Sequence, residues 1–205
     1  DGIDGLAAGG STFSFLVLGL MFFQKDLWLY SMLSFSAAGC LIPFLYFNIW
    51  GTAARGTKMF MGDAGSLLLG YMLSFLVIKY ASYISKTEPD VKNLVIPFTL
   101  LFIPMFDACR VIVVRAIHHK PMFLADRNHL HHKCLATGMT HLQSTELVLA
   151  FSIALFILNA WLVDVCNINI LFAIDLLLGI CFSQLLNIWV LYHREQKTRT
   201  EKKLD

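Results

Sequence analysis

The sequence predicts an all-α integral membrane protein with about six transmembrane helices, and three observations carry that prediction. Only 15% of the 205 residues are charged, where an ordinary soluble domain has about 25%. Hydrophobic residues make up 57%, and the mean hydropathy is +0.66. Six apolar stretches follow one another with little charge between them, each read against the ~20 residues that a membrane-crossing helix needs. A soluble domain of this length would lack the charge to cover its surface, and so high an apolar content excludes disorder.

The stretches run in order. Leu6–Phe23 is Gly-rich at its start and Phe-rich at its end. Leu27–Phe47 carries no charge and has a kink site at Pro43. Ala64–Ile78 reaches about Tyr83 if Lys79 carries its amine to the interface. Leu94–Phe106 holds Pro97 and Pro104 and can continue past Asp107 to Val114. Leu147–Val163 is clean, and Ile168–Tyr192 is interrupted by Asp175 alone. An ionisable group within a span is a functional candidate by default. Asp175 lies far from every other candidate, so a polar contact between helices accounts for it better.

Alternating the connections places twelve of the 16 Lys and Arg on one side, which should be cytoplasmic. All seven His fall on that side too, as do Asp1, Asp4, Asp63, Asp107 and Asp126. Chemistry is therefore expected at the cytoplasmic face. Five cysteines without a CxxC pair imply no disulfide framework. The chain opens at Asp1 without an initiator Met or a basic n-region, which predicts a piece of a longer protein. It reads as one transmembrane domain over 1–205, with 194–205 as a basic tail.

Three constellations could carry chemistry. Asp1-Gly2-Ile3-Asp4-Gly5 sets two carboxylates three residues apart before a span. That pattern suits a metal or substrate-hydroxyl site, or equally a capped helix start. Phe60-Met61-Gly62-Asp63-Ala64-Gly65-Ser66 is entered through Asn48 and the basic loop Arg55–Lys58. Asp63 could be a plain N-cap. A carboxylate with nearby Lys and Arg is also how Mg²⁺ and phosphate groups are held together, and Phe60 could stack on a base. Asp126-Arg127-Asn128-His129-Leu130-His131-His132 gathers imidazoles beside Arg and Asp, a combination suited to phosphate oxygens. Cys134 raises the question of zinc, but the spacing matches no standard zinc site.

These three blocks, in this order and separated by spans, resemble the polyprenyl-phosphate N-acetylhexosamine-1-phosphate transferase family. Asp1–Ala7 is similar to its DGIDGLA block, Lys58–Ser66 to its (K/R)-x-F-M-G-D-x-G-S block, and Asp126–His132 to its His-rich loop. With Asp107-Ala108-Cys109-Arg110 and Arg115 ahead of it, that loop resembles the branch that transfers GlcNAc-1-phosphate to undecaprenyl phosphate. The muramoyl-pentapeptide branch fits less well. The resemblance implies a fold of about ten or eleven helices, of which this chain would supply the C-terminal portion, inactive alone.

The resemblance also implies roles. Asp63 would ligate Mg²⁺ (or Mn²⁺), Phe60 and Asp4 would contact uracil, and Asp1 would shape the same pocket. Asn48, Lys58 and Asp126 join these as substrate-binding candidates. Arg127, His129, His131 and His132 would line the sugar–diphosphate side. The implied partners are UDP-GlcNAc or a related UDP-amino sugar, undecaprenyl phosphate and membrane lipid, with no nucleic acid and with room for a homodimer. The implied location is the cell membrane. Two rivals are weaker: a di-iron desaturase needs several separated His clusters, and a transporter or channel subunit expects charges in mid-span.

Overall fold

The computed structural model describes residues 2–87, 94–119, 121 and 129–201. The described residues form eight α-helices and one short 3₁₀ helix (Ala53–Arg55), and contain no strand. Five of them are long and apolar enough to cross a membrane: α1 (Leu6–Gln24), α2 (Trp28–Trp50), α3 (Gly62–Thr87), α7 (His141–Leu162) and the first part of α8 (Ile168–Glu201). The all-α membrane architecture expected from composition is borne out.

The remaining apolar stretch is broken. It forms α4 (Val95–Thr99) and α5 (Phe102–Ile117), with Leu100 and Leu101 between them. The cause is Pro104, which has no N–H to donate and whose ring opposes the carbonyl four residues back. The chain therefore restarts at α5, and one continuous span becomes a short helix plus a longer one.

Helix α1 is the hub. It packs against α2, α3 and α7, and its apolar stretch is more buried than that of any other candidate span. Small side chains let the neighbours come close, as in membrane helix pairs generally. Ser31 of α2 donates to the Gly19 carbonyl of α1 at 3.0 Å. One apolar core lies along α1 and α3, with Phe15, Leu18, Phe22, Leu76 and Ile84 fully enclosed. A second joins α6 (Leu130–Ala136) to α7 and α8 through Leu130, Cys134, Val148, Leu155 and Leu186. Large apolar side chains such as Leu29 and Trp161 point outward, 73% and 75% exposed, as lipid-facing residues do.

Three local findings refine the sequence reading. The segment expected as loop before Ser144 contains α6, and α7 begins six residues earlier than its apolar run with a capping box between Thr140 and Gln143. Helix α8 has 34 residues, some 51 Å at 1.5 Å per residue, so it outruns the ~30 Å hydrocarbon core. The start of the basic tail is therefore a helical extension. Asp175, 3% exposed, accepts from Asn159 Nδ2 of α7 at 2.7 Å, the interhelical polar contact anticipated for it.

Candidate active site

The connections that the Lys/Arg split assigns to one side converge at one end of the bundle. The turn before α1 is held there by hydrogen bonds from residues far away in sequence. Gly5 takes a left-handed conformation, φ 81°, that a residue with a Cβ rarely adopts. Its N–H donates to Asn48 Oδ1 at 2.6 Å, and the Asp4 carbonyl accepts from Thr145 Oγ1 at 2.7 Å. Asn48 is buried at the end of α2, and its Nδ2 donates to the Met59 carbonyl at 2.8 Å. One amide therefore fastens the first block to the lead-in of the second.

Lys58 completes this latch. Its Nζ donates to Asp4 Oδ2 at 2.7 Å and to the Asn48 carbonyl at 2.6 Å. The pair is partly buried, Lys58 18% and Asp4 31% exposed by side chain. Phe60 stands outward, 76% exposed, with the Lys58 ammonium 5.8 Å from its ring centre. An exposed aromatic beside a cation is available to stack on a planar ligand. Asp63 lies exposed in the first turn of α3, where the helix dipole favours a negative charge.

The His cluster stands at the start of α6. The His129 and His131 rings are nearly parallel with centres 5.7 Å apart, and His131 lies 4.2 Å from His132. Burial, then the neighbouring imidazoles His132 and His129, push His131 down to about 4, so it is neutral at pH 7. Its Nε2 is buried without a hydrogen-bond partner. Gly2 lies directly against this ring, and a Cβ there would collide with it. The first and third blocks thus touch.

Sequence reasoning omitted Asp107 from the site. Its carboxylate accepts from His129 Nδ1 at 2.9 Å, from Arg110 Nη2 at 2.8 Å and from the Leu130 N–H at 3.1 Å. The signal was present, an ionisable group closing a span with Arg three residues on. Behind α6, Lys133 donates to Ser183 at 3.1 Å. Burial, with Arg110 adding to it, pulls Lys133 down to about 8. Burial raises the Cys134 thiol to about 11, the opposite of what a zinc thiolate needs.

A cavity of about 690 Å³ opens beside Asp107 and the His cluster, and neither the Asp4–Lys58 pair nor Phe60 nor Asp63 lines it. Asp107, His129 and His131 line its polar part, Leu6, Ala7 and Gly10 of α1 and Ser66, Leu69 and Gly70 of α3 its walls. Among the described residues no three His, Cys, Asp or Glu stand close enough to hold a metal. A single exposed carboxylate such as Asp63 still suits Mg²⁺, which keeps several waters and binds through one or two carboxylates plus substrate phosphates. Asp1, Asp126 and Arg127 lie outside the described residues.

Residues 1–81 match glycosyl transferase family 4. The chain is 33% identical over 164 residues to a Bacillus subtilis protein named "Probable undecaprenyl-phosphate N-acetylglucosaminyl 1-phosphate transferase", covering 78% of this chain and 43% of that one. It is 30% identical to undecaprenyl-phosphate alpha-N-acetylglucosaminyl 1-phosphate transferases of Yersinia pestis and Escherichia coli K12, covering 72% of this chain and 39% of each. The chain therefore spans about two fifths of the length of these relatives, in their C-terminal part. No solved structure matches it. The resemblance read from the three blocks is borne out.

Proposed function

We propose that this chain carries the sugar-nucleotide and lipid-phosphate site of a membrane transferase that moves GlcNAc-1-phosphate, or a closely related group, from a UDP-sugar to undecaprenyl phosphate. The relatives' names support the acceptor and the transferred group. The observation that carries the reading is the convergence of all three blocks at one end of the bundle, around a cleft with histidines at its polar part and apolar walls along α1 and α3. Such a cleft can admit a polar donor and an isoprenoid acceptor together.

In this reading an oxygen of the lipid phosphate attacks the β-phosphorus of the donor. The bond from that phosphorus to the oxygen bridging the α-phosphorus breaks, and UMP leaves with that oxygen. Both reactants are anionic, so their approach needs fixed positive charge and oriented donors. Lys58, held in place by Asp4, and Arg127 supply charge. His132, and His129 once its ring is protonated, supply donors, while His131, neutral at pH 7, contributes hydrogen bonding rather than charge. Phe60 offers a stacking face for uracil. Mg²⁺, when bound at Asp63, would neutralise the diphosphate. The Lys/Arg split supports a cytoplasmic position for this end, where UDP-sugars are found.

Membranes bearing the full-length protein, given undecaprenyl phosphate and labelled UDP-GlcNAc, should yield a lipid-linked sugar diphosphate and UMP. Asp63→Asn should abolish Mg²⁺-dependent transfer. Near-normal turnover by that variant would remove Asp63 from the metal site, and no product from any UDP-amino sugar would overturn the reading.

A further inference from the structure

Asp107 sits where three segments meet: its own helix α5, the His129 ring and the first turn of α6. Its carboxylate is 13% exposed, and both oxygens are occupied. Oδ1 accepts from Arg110 Nη2 at 2.8 Å and from the Leu130 N–H at 3.1 Å; Oδ2 accepts from His129 Nδ1 at 2.9 Å. The Leu130 N–H also reaches Oδ2 at 3.3 Å, so all four lone-pair sites of the carboxylate are engaged and none is left for a metal or a substrate hydroxyl. It lines the cleft, yet anything it does there must pass through the groups it holds.

The group with chemistry is His129. It occupies the N-cap position of α6 but makes no side-chain cap bond there. Its ring is held from outside, by Asp107 across 22 residues of sequence. Opposite an acceptor already bound by two other donors, Nδ1 must carry the proton. The neutral ring then keeps its lone pair on Nε2. His129 itself lines the cleft and is stacked on His131. The Leu130 N–H bond fixes the backbone at the same point, so ring and helix start are oriented together.

We propose that Asp107 is a positioning residue for the transfer reaction: its carboxylate sets the tautomer and orientation of His129, presenting Nε2 to the cleft. The role rests on the reading of that cleft as the transfer site. Presented in this way, Nε2 can accept a hydrogen bond from a substrate hydroxyl. Once the ring is protonated, the same atom donates to a phosphate oxygen while Asp107 balances the imidazolium charge. Arg110, bound to the other oxygen, keeps the carboxylate turned toward the ring.

The test is Asp107→Asn in the full-length protein. An asparagine has one acceptor oxygen where three donors compete, and an NH₂ turned to His129 would force the opposite tautomer. Loss of tautomer control in a comparable carboxylate–imidazole pair costs up to about 10⁴ in kcat, and a fall of at least tenfold is expected here, with the donor KM changed less than threefold. Ring ¹⁵N NMR of His129 should show Nδ1–H in the parent and a mixture or the Nε2–H form in the variant. In the double variant with His129→Gln, Asp107→Asn should add less than threefold to the loss from His129→Gln alone.

An unchanged tautomer, a loss confined to KM, or fully additive losses would each overturn the role. The NMR arm needs no turnover. Failure of the transferase reading would therefore appear as an inactive parent with the Asp107–His129 pairing intact, distinguishable from failure of the pairing itself. Should Asp107→Asn not fold, Arg110→Gln offers the same tautomer readout, with loosened control expected and an unaltered ring counting against the proposal.

Discussion

Asn48→Ala is the sharpest single test of how the site is assembled. The change removes one acceptor and one donor at once, the Gly5 N–H bond of 2.6 Å and the Met59 carbonyl bond of 2.8 Å. The two losses differ in cost. Met59 is 45% exposed, so its carbonyl can turn to water and loses about 0.5–1 kcal/mol. Gly5 is buried, and an N–H stranded there costs about 1–3 kcal/mol. Together they weaken the closed latch by about 1.5–4 kcal/mol, a factor of about 10 to 700 at 1.4 kcal/mol per tenfold. The assay is the donor KM of the full-length protein together with its thermal unfolding in detergent. KM should rise at least tenfold and the midpoint should fall by several degrees, since a chain of 150–250 residues responds by about 2–4 °C to each ~1 kcal/mol. A variant with parental KM and midpoint would refute the view that Asn48 fastens the two blocks together.

Two further outcomes follow from the same geometry. Gly2→Ala places a methyl group where the His131 ring now lies, and overpacking of that kind costs about 1–3 kcal/mol. Turnover should fall at least fivefold with little change in expression, and parental rates would show that the first block and the His cluster do not touch in solution. The second concerns pH. His131 is lowered from 6.5 to about 4, chiefly by burial, so between those values the unfolded chain binds more protons than the folded one. The stability tied to its neutral ring is complete above pH 6.5 and lost as pH falls toward 4, on the order of 1–2 kcal/mol after solvent screening. Unfolding midpoints of the parent should drop more steeply than those of His131→Gln between pH 7 and pH 4.5. Parallel curves would contradict the burial of that ring.

Composition and hydropathy were enough for the class of fold, because a bilayer requires long apolar helices whatever their arrangement. The Lys/Arg asymmetry was enough to group the connections, and the structure gathers the same ones at one end. What single-sequence reading could not reach is the pairing of groups far apart along the chain. Asp4 and Lys58 are separated by 54 residues, and Asp107 and His129 by 22. No local period carries such information. Asn48 shows the consequence: a polar residue at a span end suggests a substrate contact, yet both ends of its amide are bound to the protein.

Proline position tells the same story more locally. Pro97 and Pro104 were visible in the sequence, but that the helix would break at Leu100 and Leu101, which pack against the core along α1 and α3, was not. The motifs, likewise, named the chemistry without its geometry. The imidazoles, the Asp63 carboxylate and the exposed Phe60 could be listed from their residue types alone, since each side chain brings its own donors, charge or π-face. Which imidazole is held, which is desolvated and which carboxylate is already occupied are properties of neighbours, and neighbours are set when α1, α3 and α5 close around the cleft. Residue chemistry is local, and so it survives in a one-dimensional reading. Tautomer, burial and pairing arise from contacts across the fold, and the tertiary structure decides them.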